Sequence, residues 1–250
     1  MRNIVVTAVL AVLVSMAGSP VRATSAAAKK SPSTATAQVS APAFTIDRTA
    51  ALHEGVNAEV LNLALGAVTC GVASGDLAAP PTLTLIDYSL PSTTPRLWVF
   101  DLHTGKMLFH ELVAHGRNTG DNMAVHFSDA MESRESSIGL FRTADTYVGH
   151  NGYSLRLDGL EPGFNAHARD RAIVMHGAAY VNAEVAKSNG RLGRSWGCPA
   201  LREAVARQVI DTVRGGGVIF SYYPDPQWLK TSKFLNCPAQ KDSNYTVATR

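Results

Sequence analysis

One cysteine stands in a tight turn at Gly197-Cys198-Pro199, within the stretch Gly193-Arg194-Ser195-Trp196-Gly197-Cys198-Pro199-Ala200-Leu201. Upstream, an apolar run ends in Met175-His176-Gly177. A thiol and an imidazole, each beside glycine, are the minimum parts for cysteine acyl transfer. The thiolate is the nucleophile, and at an unperturbed pKa of about 8.5 only a few per cent is ionised at neutral pH. A neighbouring imidazole or a helix N-terminus raises that share. Gly197 permits a tight backbone whose amides can face an oxyanion, and His176 is the matching general base. The competing readings are a buried structural cysteine and a core histidine satisfied by a carbonyl.

These residues need elements to position them. Ala172-Ile173-Val174-Met175 predicts a short buried strand that delivers His176 at its end. Leu201, Ala204, Val205, Val209 and Val213 recur at helical spacing, so Cys198 is expected just ahead of a helix over 201–213, with Pro199 suited to its first turn. Gly215-Gly216-Gly217 ends that helix, and Val218 to Tyr223 reads as a last strand. Earlier, 46–68 has helical spacing, with breaks expected near Gly55 or Gly66, and 71–81 reads as a loop. Strands are predicted at 83–88, 96–102, 107–114, 138–142, 146–148 and 153–157. The polar stretch 117–136 is long for a structureless loop, and such loops are often functional. The pattern predicts a β-rich α+β domain, a barrel or sandwich with a few peripheral helices.

The N-terminus reads as a secretory signal peptide over 1–23: Met1-Arg2, an apolar run from Ile4 to Ala17, then Val21-Arg22-Ala23. No later apolar run is long enough to span a bilayer, so no integral membrane segment is expected after cleavage. Residues 24–43 are rich in Ala, Ser, Thr and Lys, the composition of a disordered linker. The main domain is expected over 44–224, with a tail over 225–250. The net charge of +3 is mild and the basic residues do not cluster, which argues against a nucleic-acid partner. Of three cysteines, Cys70 and Cys237 flank the core; in an oxidising compartment they are the expected disulfide, leaving Cys198 free. Among the eight histidines, none falls in an H-E-x-x-H pattern and no paired C-x-x-C occurs, so no metal or other cofactor is expected. His115 and His126 flank the long polar loop and are candidates to line a cleft. Arg156 is a candidate to hold a substrate carboxylate, the alternative being a structural pair with Asp158.

The run from His176-Gly177 through Gly190-Arg191-Leu192-Gly193-Arg194-Ser195-Trp196-Gly197-Cys198-Pro199-Ala200-Leu201 resembles the catalytic signature of the murein L,D-transpeptidases, the YkuD-like fold, in the branch with Ser-Trp-Gly-Cys-Pro. Similar stretches include Arg96-Leu97-Trp98-Val99-Phe100-Asp101-Leu102 and Tyr153 to Leu160, and the likeness covers about Ala58 to Pro224. It implies Cys198 as nucleophile, His176 as its base, and the Gly177 carbonyl as the group that orients the ring. It further implies an oxyanion hole from the backbone amides of Trp196, Gly197 and Cys198. Ser195 matches the small hydroxyl residue that opens the motif. Many members carry a histidine in place of Trp196 and an arginine or asparagine soon after the cysteine. Here Arg194 or Arg202 is the candidate positive group, and Trp196 a candidate wall for a peptide; Ser195, Arg194, Trp196 and Arg156 make up the expected substrate-binding set. The implied activity is a secreted, periplasmic or envelope enzyme that forms 3→3 crosslinks between peptidoglycan stem peptides through a thioester. The alternatives are an L,D-carboxypeptidase or endopeptidase on the same peptides, and a catalytically silent wall-binding module.

Overall fold

The computed structural model describes residues 44–237. The expected signal peptide and linker, and residues 238–250, lie outside the described residues. Helix α1 (Arg48–His53) is capped by Glu54 and followed by Gly55, whose φ of 84° no L side chain adopts readily. Asn57 then caps α2 (Ala58–Ala73), its Oδ1 accepting the N–H groups of Glu59 and Val60 at 2.8 and 3.2 Å. The break thus falls at Gly55, and α2 runs through Gly66 into the segment read as loop. A Cβ on Gly71 would lie 2.7 Å from Leu77 Cδ1, so glycine there serves close packing of the returning chain.

The strands are β1 (Thr82–Asp87), β2 (Leu97–Asp101), β3 (Met107–Glu111), β4 (Val113–Ala114), β5 (Gly139–Gly149), β6 (Gly152–Gly159), β7 (Val174–Gly177), β8 (Ala200–Leu201) and β9 (Val218–Tyr222). They form one mixed nine-stranded sheet in the order β3-β2-β1-β9-β5-β6-β7-β8-β4. Its outermost strands, β3 and β4, are separated in the chain by Leu112 alone, so the sheet must curl until its edges approach, giving a nearly closed barrel. That is why 107–114, which reads as one strand, is two strands at opposite ends of the sheet. The reverse holds at 139–149, where the expected short strands are one long strand with a register shift between Thr143 and Thr146.

Alternation along the strands feeds two cores. Ile86, Val99, Phe141, Leu155, Met175 and Ile219 point inward, where α4 (Glu203–Val213) adds Ala206, Val209, Ile210 and Val213. Leu83, Leu85, Trp98, Phe100, Leu140 and Phe220 point outward against α2. The remaining helices are α3 (Ala183–Asn189) and α5 (Pro226–Thr231). The domain does not stop at 224. α5, capped by Asp225, places Trp228 fully in the outer core with Phe234, and burying a large apolar side chain is worth about 1.5–3 kcal/mol. Cys237 is disulfide-bonded to Cys70, with Cα atoms 6.3 Å apart.

Glu161 ties this C-terminal segment to the sheet. It is 2% exposed. Oε1 accepts the Leu140 N–H at 2.8 Å, and Oε2 accepts the Trp228 indole N–H at 3.0 Å and the Ser232 hydroxyl. Burial pushes its carboxyl above the ordinary value, while these donors pull it back. Glu161→Ala would strand three buried donors and is expected to cost about 3 kcal/mol or more. Urea unfolding should show a lower midpoint at an unchanged slope.

Candidate active site

β7 and β8 run parallel, with His176 opposite Ala200. Cys198 precedes β8 and lies beside Val174, whose N–H reaches Sγ at 3.4 Å. Met175 and Leu201 fill the barrel interior, so His176 and Ala200 belong to the opposite, outer face. The expected helix at 201–213 begins only at Glu203, because Ala200 and Leu201 are drawn into the sheet. Cys198 therefore has no helix N-terminus directly behind it.

His176 is 4% exposed, and its Nδ1 is 2.9 Å from the Gly177 carbonyl. A carbonyl only accepts, so Nδ1 carries the proton and Nε2 keeps a free lone pair. Burial lowers the imidazole pKa, opposed by the bond to Gly177. Cys198 is the free cysteine and is 7% exposed. Its Sγ also lies 3.7 Å from the Ala172 carbonyl as a donor. Burial pushes the thiol up, while the Val174 N–H, the nearby Arg171 and its own amide pull it down. His176 lies on β7 and Cys198 just ahead of the neighbouring β8, yet in this resting arrangement the thiol proton faces Ala172 and no hydrogen bond joins Sγ to the imidazole. Ala172 itself has a φ of 53°, a strained backbone at the edge of the site.

The turn carrying Cys198 is held by serines. Ser195 Oγ donates to the Cys198 carbonyl at 2.7 Å and accepts the Gly197 N–H at 3.1 Å. Ser136 Oγ donates to the Gly197 carbonyl at 3.1 Å and accepts the Gly116 N–H at 3.0 Å. Gly197 has a φ of 120°, and a Cβ there would meet the Glu135 carbonyl at 2.7 Å, so no other residue fits. These contacts bear on two of the expected roles. Ser195 is 5% exposed, and its hydroxyl is engaged in closing its own turn. The Gly197 N–H is already bonded, which leaves the amides of Trp196 and Cys198 from the expected trio.

The expected cations are also committed elsewhere. Arg194 donates to the carbonyls of Arg117 and Gly120 and to Asp121, at 3.2, 2.9 and 2.9 Å. Arg202 forks onto Glu111 at 2.9 and 2.8 Å. Arg156 binds Asp145 and covers the Tyr147 ring at 4.2 Å, while Asp158 takes Arg142 and Arg169. The partner of Arg156 is Asp145, not the expected Asp158, because the long β5–β6 hairpin brings Asp145 across to it. His115 is sealed between Arg96 and the Gly120 carbonyl, its pKa pushed down to about 4 by burial and by Arg96. His115 is thus buried, whereas His126 is exposed.

Trp196 is 67% exposed, with the Arg134 guanidinium 4.7 Å from its ring centroid. It borders a cleft of about 530 Å³ whose walls include Arg134, Asp170, Arg171, Ala172 and Asn118. The cleft thus opens beside the Ala172 carbonyl that Sγ touches. Sequence reasoning missed Arg171; its one signal was a charge placed immediately before a buried apolar run. Among the described residues, no group of three His, Cys, Asp or Glu side chains could hold a metal ion.

A family model described as the L,D-transpeptidase catalytic domain matches residues 52–222. No curated protein matches the chain. Among solved structures, an L,D-transpeptidase from Mycobacterium smegmatis is similar at 14% identity over 57% of this chain and 59% of its own, with a TM-score of 0.37. Mycobacterium tuberculosis L,D-transpeptidase 1 gives 16% identity, 57% and 62% coverage and a TM-score of 0.31. The helical cell shape determining protein Pgp2 from Campylobacter jejuni gives 13%, 62% and 55%, and 0.36. The chain therefore spans somewhat under two thirds of the length of these structures. With the family match running through β1 to β9 and taking in both His176 and Cys198, this chain belongs to the L,D-transpeptidase catalytic domain family.

Proposed function

We propose that this protein is a cysteine acyltransferase that forms 3→3 crosslinks between peptidoglycan stem peptides, with Cys198 as nucleophile and His176 as base. The observation that carries this reading is the tautomer of His176: the Gly177 carbonyl holds the proton on Nδ1 at 2.9 Å, leaving a basic Nε2 on the strand beside Cys198. Family membership supplies the substrate class. In the reaction, the Sγ proton turns from Ala172 to His176 Nε2, and sulfur attacks the carbonyl carbon of the bond between diaminopimelate and the terminal D-Ala. The amides of Trp196 and Cys198 are the donors offered to the developing oxyanion. The C–N bond breaks, D-Ala leaves with the proton held by His176, and a thioester remains. An acceptor amine then attacks the thioester, passes its proton through His176, and restores the thiol. No step calls for a cofactor.

We read residues 1–23 as an export signal and 24–43 as a linker, which places the enzyme outside the inner membrane, in the periplasm or cell envelope. Among the described residues no helix is long and apolar enough to cross a membrane.

Incubation of the purified protein with disaccharide-tetrapeptide tests the reading: a crosslinked dimer with free D-Ala is expected. Tripeptide without dimer would indicate water as acceptor, and an unchanged substrate would indicate a wall-binding module. The base must be neutral to work. Because burial lowers the His176 pKa, its competent form persists as pH falls. The acid limb of the kcat/KM profile is therefore expected below the ordinary imidazole value of about 6.5.

A further inference from the structure

The cations nearest Cys198 in sequence, Arg194 and Arg202, are bound to carboxylates and carbonyls of their own. Arg171 is placed differently. It directly precedes Ala172, whose carbonyl lies 3.7 Å from Sγ. Its Nη2 comes within 3.5 Å of where a Cβ on Gly197 would lie, so the guanidinium rests against the backbone of the Cys198 turn. The side chain is immobilised from four directions. Nη1 donates to the Ser128 carbonyl at 2.7 Å and to Ser137 Oγ at 2.6 Å; Nη2 donates to Ser133 Oγ at 2.9 Å and to the Glu135 carbonyl at 2.6 Å. Every one of these acceptors is neutral, so no direct ion pair cancels the charge. Asp129 and Glu135 act on it only through space, and Asp129 makes its close contact with His167. The other titratable groups that feel the sulfur are Tyr88 and Tyr180, while His176 pairs with Ala200 two residues on. Both tyrosines are pushed up to about 12 by burial and stay neutral.

We propose that Arg171 is the positioning residue that supplies the fixed positive charge for the Cys198 thiolate, a role the Gly-Cys-Pro motif leaves unfilled. The inference rests on the reading of Cys198 as nucleophile. Its step is proton transfer from Sγ to His176 Nε2, with no change of oxidation state; the guanidinium stabilises the charge left on sulfur. The loop 128–137, which supplies all four acceptors, thereby acts on the nucleophile by aiming a cation at it.

The test is the rate of Cys198 alkylation by iodoacetamide as a function of pH, in the full chain carrying Arg171→Gln or Arg171→Lys. Gln keeps hydrogen-bonding capacity but loses the charge, and its alkylation midpoint is expected to rise by about one pH unit, slowing alkylation about tenfold at neutral pH. Lys keeps the charge but loses the fork, and its midpoint should stay near the wild-type value even where its melting temperature falls. An unshifted midpoint in the Gln protein, or equal shifts in both, would overturn the proposal. Circular dichroism checks each fold, and Arg171→Met provides a second neutral variant should Gln fail to fold. Alkylation needs no peptidoglycan substrate. If Cys198→Ala retained turnover, the nucleophile reading would fail while the effect of Arg171 on the thiol remained separately measurable.

Discussion

Cys198→Ala is expected to abolish D-Ala release, with a loss of at least about 10³-fold, while the protein stays folded. Nothing nearby can replace the sulfur. Ser195 Oγ donates to the Cys198 carbonyl, and Ser136 Oγ donates to the Gly197 carbonyl, so both hydroxyls are fixed in the turn. The structural cost is small, because the backbone clasp at 195–198 does not involve Sγ. The losses are two weak contacts, to the Val174 N–H at 3.4 Å and to the Ala172 carbonyl at 3.7 Å, and a cavity of one sulfur, together about 1 kcal/mol. Circular dichroism and a thermal melt beside the turnover assay separate chemistry from folding. A Cys198→Ala protein that still releases D-Ala would remove sulfur from the mechanism.

His176→Gln is expected to lower kcat/KM by about 10²- to 10⁴-fold, the usual range for loss of a general base. Gln can still donate to the Gly177 carbonyl, so the strand end keeps its local bond, but it has no lone pair able to take the thiol proton. The residual rate should then rise with pH as the unassisted thiolate forms, in place of the wild-type acid limb. A His176→Gln enzyme with wild-type kcat/KM and an unchanged profile would show that the imidazole serves only packing.

Much of this site was legible because it is local in sequence. Met175-His176-Gly177 and Gly197-Cys198-Pro199 are short runs whose residue types announce strand ends and turns. What escaped depends on how distant segments meet. Reading 107–114 as one strand missed the closure of the sheet at Leu112, since closure is a property of the whole strand order. The helix expected from Leu201 loses its first residues to pairing with β4 and β7, where tertiary hydrogen bonds outweigh helical spacing. The arginines were judged by closeness in sequence to Cys198, yet Arg194 and Arg202 are claimed by Asp121 and Glu111, more than seventy residues away. Arg171 reaches the turn only because the polar loop 128–137 folds back over it. The expected domain end at 224 followed from Pro224 stopping the last strand, whereas Trp228 beyond it is fully buried.

The central claim is a thioester on Cys198, and intact-protein mass spectrometry after mixing with donor tetrapeptide tests it most directly. The account predicts a mass increase equal to the donor minus D-Ala, mapped to the peptide containing Cys198, reversed by an acceptor amine, and absent from Cys198→Ala. An adduct on another residue, or D-Ala release with no adduct under conditions where acylation outpaces deacylation, would contradict it.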